Sequence, residues 1–234
     1  MIDIHTHLLF GVDDGPKELE ESVQMLQDAA NQGISAIVLT PHYRHGMFPY
    51  HKEKIIKHYE ALLPYAREIG IRIELGCEYH VNSQITEAFA SGRVMTLAGS
   101  GYVLTEYEYE TEYEYIERMT QQLISHGYIP VIAHVERYRC LIKNPELIDQ
   151  LRHQGAWIQV NADAVLGLEG GAGKRFCKKL LKNGWVNVIA SDSHGIQRRV
   201  SHMEKCREYL LKKYDERYVE KLFCQNPGKI LEAE

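Results

Sequence analysis

Apolar positions along the chain follow two alternating patterns. Short runs rich in Ile, Val and Leu have the length of strands buried on both faces. Between them lie longer stretches in which apolar residues return every three or four positions, as on the inward stripe of a helix. The predicted strands are Ile2–His7, Ile34–Thr40, Ile71–Gly76, Gly101–Thr105, Ile129–Ala133, Ala156–Val160 and Val186–Ala190. The first predicted helix covers about 17–31, with Val23, Leu26 and Ala30 on one face and Gly33 as its stop. Others follow over 50–68, kinked near Pro64, and over 83–90, 113–126, 145–153 with Asn144 as its cap, and 173–182. Helices over 196–214 and 216–223 close the chain, and Asn226-Pro227 begins a last short turn. Seven strand-then-helix units predict an α/β chain, a distorted TIM-like (β/α)7 barrel forming a single domain over residues 1–234. An open doubly wound sheet is the alternative.

Composition narrows this picture. A chain of 234 residues, 44% hydrophobic and 25% charged, suits one barrel better than two small domains. A net charge of -5 argues against a general nucleic-acid surface. No apolar run is long enough for membrane insertion, and no basic-then-apolar segment precedes the first strand, so a cytoplasmic location is expected. The five cysteines are odd in number and none form CxxC, which fits a reducing compartment rather than a disulfide framework or zinc ribbon. Gly167–Gly173 lacks the order of a phosphate-binding loop.

The chemistry concentrates where the strands end, the side of such barrels that carries catalysis. His5 and His7 share one face of the first strand, and later strands end in His42, Glu78, Glu106, His134, and Asp192 with His194. Each alone has an ordinary reading as a loop cap, a solvated strand end or a hydrogen-bonded core histidine. Together they are costly to bury at one rim without cations, so a metal site is expected. Imidazole and carboxylate without thiolate suit Mn2+, Fe2+ or Zn2+. No cysteine has an arginine six positions later, so the loop of thiol-based tyrosine phosphatases is absent.

The motifs DIHTH, TPH, GCEYH, LTE, AHVER and SDSH, in that order across nearly the whole chain, resemble those of the PHP superfamily, named for polymerase and histidinol phosphatase. The opening MIDIHTHLL with the following VDDGP is most similar to the bacterial manganese-dependent protein-tyrosine phosphatases of capsule and exopolysaccharide regulation. The resemblance implies a three-metal site, with Mn2+ as first choice. Its first ion would take His5, His7, Glu78 and Asp192, its second Glu78, Glu106 and His134, its third Asp14, His42 and His194. Asp13 competes with Asp14. Three divalent ions against four carboxylates leave a charge of +2, suited to a phosphate-ester dianion.

The implied reaction is in-line attack of metal-bound hydroxide, with no covalent enzyme intermediate. Arg137 and Arg199 would hold phosphoryl oxygens, Arg198 being the alternative to Arg199, and His42 could protonate the leaving group. The implied substrate is phosphotyrosine on a bacterial tyrosine kinase or its targets. A small phosphate ester such as histidinol phosphate is the second reading, and a non-catalytic metal-bound regulatory module the third. The Tyr/Glu-rich stretch 106–115 is either an ordinary solvated loop or a contact for the phosphotyrosyl ring. His80 is either a supporting group or an exposed histidine. Oligomeric state is not legible.

Overall fold

The computed structural model describes residues 1–232. Its strands are β1 (Ile2–Thr6), β2 (Ala36–Leu39), β3 (His42–Tyr43), β4 (Arg72–Leu75), β5 (Glu78–His80), β6 (Tyr102–Glu106), β7 (Ile129–Ile132), β8 (Trp157–Asn161) and β9 (Val188–Ala190). These strands pair in parallel, in the orders β1-β2-β4 and β3-β5-β6-β7-β8-β9. β3 continues β2 past Pro41, which has no N–H to give a ladder, and β5 continues β4 past Gly76. Gly76 N donates to Leu39 O (2.8 Å) and Glu78 N to Pro41 O (3.2 Å), so the ladder bridges both breaks. The last strand returns to the first: Asp192 N donates to His5 O (2.9 Å) and His7 N to Ser193 O (2.8 Å). The nine segments thus trace seven strand positions in a closed ring, as expected from the sequence.

Two apolar layers hold the ring. Ile4, Val38, Leu104, Val131 and Val188 fill the barrel axis, with Ile230 of the last helix as its plug. Leu26, Leu62, Ile116, Leu123 and Leu180 pack the helices onto the outside. The register slips between Asp3 and Thr6, a bulge in β1. Simple alternation would place His5 opposite Ile4; the bulge lets both face the axis, Ile4 in the floor and His5 in the mouth. Beyond the end of β7, His134 adopts φ +33 just after the interior residue Ala133.

Helix boundaries differ from expectation mainly near the site and the carboxyl end. Lys52–Ile69 runs through Pro64 without a break. Asn144 is not a side-chain cap; its carbonyl accepts from Leu147 N (3.1 Å). Two short helices, Arg139–Lys143 and Ala162–Leu166, were too brief to leave a periodic signature. The helix expected over 196–214 shrinks to Met203–Leu211, because Arg199 at φ +50 belongs to a loop. The helix expected over 216–223 ends at Glu220, passes through a wider turn and resumes as Asn226–Glu232. Among the described residues no helix is long and apolar enough to cross a membrane.

Candidate metal centre

Glu78 sits at the hub of the barrel mouth, 1% exposed, at the first position of β5. Its Oε1 lies 3.2 Å from His5 Nε2 and 2.9 Å from His134 Nε2. Its Oε2 lies 3.1 Å from His7 Nε2 and 2.9 Å from His42 Nδ1. One carboxylate therefore faces four imidazoles, two per oxygen. Glu106, at the end of β6, is 4.0 Å from His42 Nδ1 and 3.8 Å from His134 Nε2. Asp192 Oδ1 lies 3.4 Å from His5 and 3.5 Å from His7. The structure brings all nine expected metal-site residues to this one mouth.

The loop after β1 separates the two candidate aspartates. Asp13 lies behind His7, with Oδ2 2.8 Å from His7 Nδ1 and accepting from His42 N (3.1 Å). This leaves the opposite nitrogen, His7 Nε2, facing Glu78. Asp14 points into the mouth, 3.4 Å from His194 Nε2 and 3.6 Å from His42 Nε2. Gly15 is needed for this turn, since a Cβ there would stand 2.0 Å from His7 O. Four donor groups have their ligand atoms within 4.8 Å of one another: His7, Asp14, His42 and His194; His5, His134 and Asp192; His5, His7 and Glu78; His42, Glu78 and Glu106.

The arginines converge on the outer oxygen of Asp192. Arg137 Nη1 donates to Oδ2 at 2.9 Å and Arg199 Nη2 at 2.8 Å. Arg198 instead lies against the outer surface with Glu21 and Gln24. Among the described residues the non-glycine residues with positive φ are Ala98, His134, Asp192 and Arg199, so three of the four lie at the candidate site. Strained backbone of this kind persists where the surroundings over-determine it, commonly at functional sites.

Sequence reasoning missed the polar support from β8. Gln159 Oε1 lies 3.2 Å from His5 Nδ1 and accepts from His134 N (2.9 Å). Its Nε2 donates to Asn161 Oδ1 (2.8 Å), and Asn161 Nδ2 donates to Asp192 Oδ2 (3.0 Å). A fully buried amide chain thus holds the His5 imidazole, the backbone of His134 and the Asp192 carboxylate at once. The signal was present: Gln159 and Asn161 are polar residues in an otherwise apolar strand.

Several side-chain atoms here fit divalent ions better than they fit each other. His42 Nδ1, Glu78 Oε2, Glu106 Oε2 and His194 Nε2 are buried without a hydrogen-bond partner. His42 Nδ1 and Glu78 Oε2 are 2.9 Å apart yet not aligned as donor and acceptor. Nitrogen and oxygen lone pairs pointed into a common space, with no thiolate among them, make a donor set for a borderline or hard cation. Protons partly substitute for such ions. Burial pulls the His7 imidazole down, as does His42, but the Asp13 and Glu78 carboxylates outweigh them and raise it to about 9. His42 is likewise lowered by burial but carried to about 9 by Glu78 and Glu106. Burial, then the neighbouring Glu78, lifts the Glu106 carboxyl to about 7.

Comparison with known proteins decides the family. The sequence profile for capsular polysaccharide synthesis proteins CpsB/CapC matches residues 1–232. The chain belongs to the CpsB/CapC family. It is 35% identical over 238 residues to the tyrosine-protein phosphatase CpsB of Streptococcus pneumoniae, covering 99% of this chain and 98% of that one. It is 30% identical over 216 residues to the tyrosine-protein phosphatase YwqE of Bacillus subtilis (strain 168), covering 92% and 85%. A crystallographic study of YwqE and CpsB, described as unique metal-dependent tyrosine phosphatases, provides a structural match with TM-score 0.89 at 29% identity, covering 99% of this chain and 94% of that one. A phosphotriesterase homology protein from Escherichia coli, at 13% identity and TM-score 0.61, shares the fold alone.

Above the ligand cluster this CpsB/CapC chain has a cavity of about 470 Å3, walled by Phe48, Met47, Tyr109, Arg137 and Arg199. Phe48 stacks on His42 (centroids 5.1 Å, 11° between planes). Of the tyrosines in 106–115, only Tyr109 lines this cavity; Tyr107 is buried edge-on against Tyr138. Glu108 pairs with Arg44 and lies 3.3 Å from His80, which places His80 in the rim rather than among the clustered donor atoms.

One buried carboxyl gives a pH prediction. Glu136 Oε1 accepts from Asn161 N (2.9 Å), its Oε2 has no partner, and burial raises its pKa from 4.5 to about 8. The folded state therefore binds a proton that the unfolded state has lost above 4.5. This stability is full below about 4.5 and disappears as pH rises toward 8. His7 and His42, with folded pKa values raised above 6.5, contribute in the same direction as pH rises toward 9. Chelator-treated protein should thus lose stability from pH 6.5 to 8, by about 2 kcal/mol from Glu136 alone. Glu136→Gln should remove that share of the slope in denaturant titrations; an unchanged slope would refute the assignment.

Proposed function

We propose that this chain is a Mn2+-dependent protein-tyrosine phosphatase, one PHP-type domain over residues 1–234, acting in the cytoplasm on phosphotyrosine of a bacterial tyrosine kinase or its targets. The observation that carries this reading is the convergence of overlapping nitrogen and oxygen donor groups on Glu78, beneath two arginines and a cavity of about 470 Å3. His5, His7, Glu78 and Asp192 would hold one ion, Glu78, Glu106 and His134 a second, and Asp14, His42 and His194 a third. Bound ions would lower the pKa of water toward neutrality and neutralise phosphoryl oxygens.

The chain's own groups supply the rest. Arg137 and Arg199 already stand at one oxygen of Asp192, placed to turn their forks to phosphoryl oxygens. Gln159 and Asn161 fix the ligands beneath, so little reorganisation accompanies the reaction. The proton for the departing phenolate would come from His42, at the cavity wall with its side chain 11% exposed, if it is not held to an ion, or otherwise from water at the site. That demand is modest, since a phenol has a pKa of about 10. Cys77, Cys177 and Cys206 are buried with their thiols raised by burial, so none offers a thiolate nucleophile.

The apolar rim favours an aryl ester over histidinol phosphate. Met47 (58% exposed) and Tyr109 (52% exposed) stand beside Phe48 as an open bed for a ring. Mn2+-loaded protein should therefore hydrolyse a phosphotyrosyl peptide with a higher kcat/KM than histidinol phosphate. The opposite order would replace this reading with that of a small-molecule phosphatase.

A further inference from the structure

We propose that the lysine-flanked pocket between helices Gly171–Lys182 and Met203–Leu211 is a second anion-recognition site, which docks another phosphotyrosine of the substrate chain while one is hydrolysed in the barrel mouth. This rests on the phosphotyrosine reading above. The pocket is a cavity of about 280 Å3. Val165, Leu181 and Leu210 form its buried apolar floor, and Lys174, Lys178 and Lys213 stand around it. Lys174 Nζ lies 5.1 Å and Lys213 Nζ 4.8 Å from the ring centroid of Tyr209. Two ammonium groups held at one ring repel each other, and an anion between them would relieve that.

Among the described residues no carboxylate pairs with them. Lys174 Nζ donates to the carbonyl of Leu166 (2.8 Å). Among the described residues, none of the three lysines lies within ion-pair distance of a carboxylate, whereas Lys179 on the same helix pairs with Glu146 (2.8 Å). Helix Gly171–Lys182 carries Lys174, Arg175, Lys178, Lys179 and Lys182 with no acidic residue, in a chain of net charge -5. The stretch that follows Glu106 is acidic in sequence instead, with Glu108, Glu110, Glu112 and Glu114, of which Glu108 pairs with Arg44 and Glu110 with Arg139. A polyanionic peptide is attracted to this face.

A phosphotyrosyl side chain matches both parts of the pocket. Its ring suits the apolar floor, and its phosphate, at about -1.5 to -2, suits the lysines. The site is close in chain terms: helix Ala162–Leu166 directly follows Asn161, which bonds Asp192, and reaches the pocket through Val165. A membrane surface fits less well, because the apolar residues of the basic helix, Phe176, Cys177, Leu180 and Leu181, are buried in the core.

The test uses Mn2+-loaded protein and peptides with one or two non-hydrolysable phosphonomethyl-phenylalanines. Wild type should bind the two-phosphonate peptide at least about tenfold more tightly. The double variant Lys178→Glu/Lys213→Glu should lose that advantage while hydrolysing p-nitrophenyl phosphate at the wild-type rate. A retained tenfold advantage would overturn the proposal, as would the absence of any advantage in wild type. Lysine-dependent binding to phosphatidylglycerol vesicles with unchanged peptide affinity would overturn it in favour of a membrane surface. If wild type fails to hydrolyse a singly phosphorylated tyrosyl peptide but the lysine-dependent binding persists, the proposed reaction falls and the docking site stands.

Discussion

Glu78→Gln should lower kcat/KM for a phosphotyrosyl peptide by about 10³-fold or more and leave the protein folded but depleted of metal. The reason is geometric: its two oxygens face His5 and His134 on one side, His7 and His42 on the other. Glutamine keeps the volume but loses the charge, and its amide presents N–H groups where a cation should sit. Burial alone would raise the pKa of Glu78, yet the imidazoles of His5 and His42 hold it well below the usual carboxylate range, so it stays ionised. Metal analysis, circular dichroism and steady-state kinetics on the same preparation separate loss of ions from loss of fold. Full metal content with more than a tenth of wild-type activity would refute the bridging role.

Arg137→Ala should reduce kcat by about 10²-fold to 10³-fold while changing metal content little. Its guanidinium joins Asp192 Oδ2 (2.9 Å) to Glu169 (3.0 Å) at the edge of the cavity, touching the ligand cluster only through the outer oxygen of one carboxylate. A loss concentrated in kcat would mark charge stabilisation in the transition state, and a loss of metal instead would make Arg137 a support for Asp192. Arg137→Lys should recover only part of the rate, because a point charge cannot span two phosphoryl oxygens as a planar fork does.

The sequence carried the architecture because seven apolar runs, each followed by a helical pattern, leave few alternatives to a closed parallel sheet. It also carried the ligand candidates, because histidines and carboxylates recur where the strands end. Three things were hidden. The bulge in β1 and the left-handed His134, which bring polar groups above the apolar floor, depend on tertiary contacts and leave no periodic trace. The choice between Asp13 and Asp14 depends on one turn that Gly15 makes possible. The loop carrying Arg199 reads as helical because its neighbours do, whereas Arg199 O accepts from His194 N (2.9 Å) and its guanidinium reaches Asp192. Gln159 was readable in principle, as a polar residue inside a buried strand, but its bonds to His5 and His134 join parts of the chain far apart in sequence.

The most direct measurement is anomalous diffraction at the manganese edge from crystals grown with Mn2+, before and after chelation. Three peaks are expected inside the barrel mouth, each contacting donors of His5, His7, Asp14, His42, Glu78, Glu106, His134, Asp192 or His194, with Glu78 shared between two ions and all three peaks lost to chelator. A mouth without peaks, in crystals whose protein hydrolyses phosphotyrosine, would contradict the account.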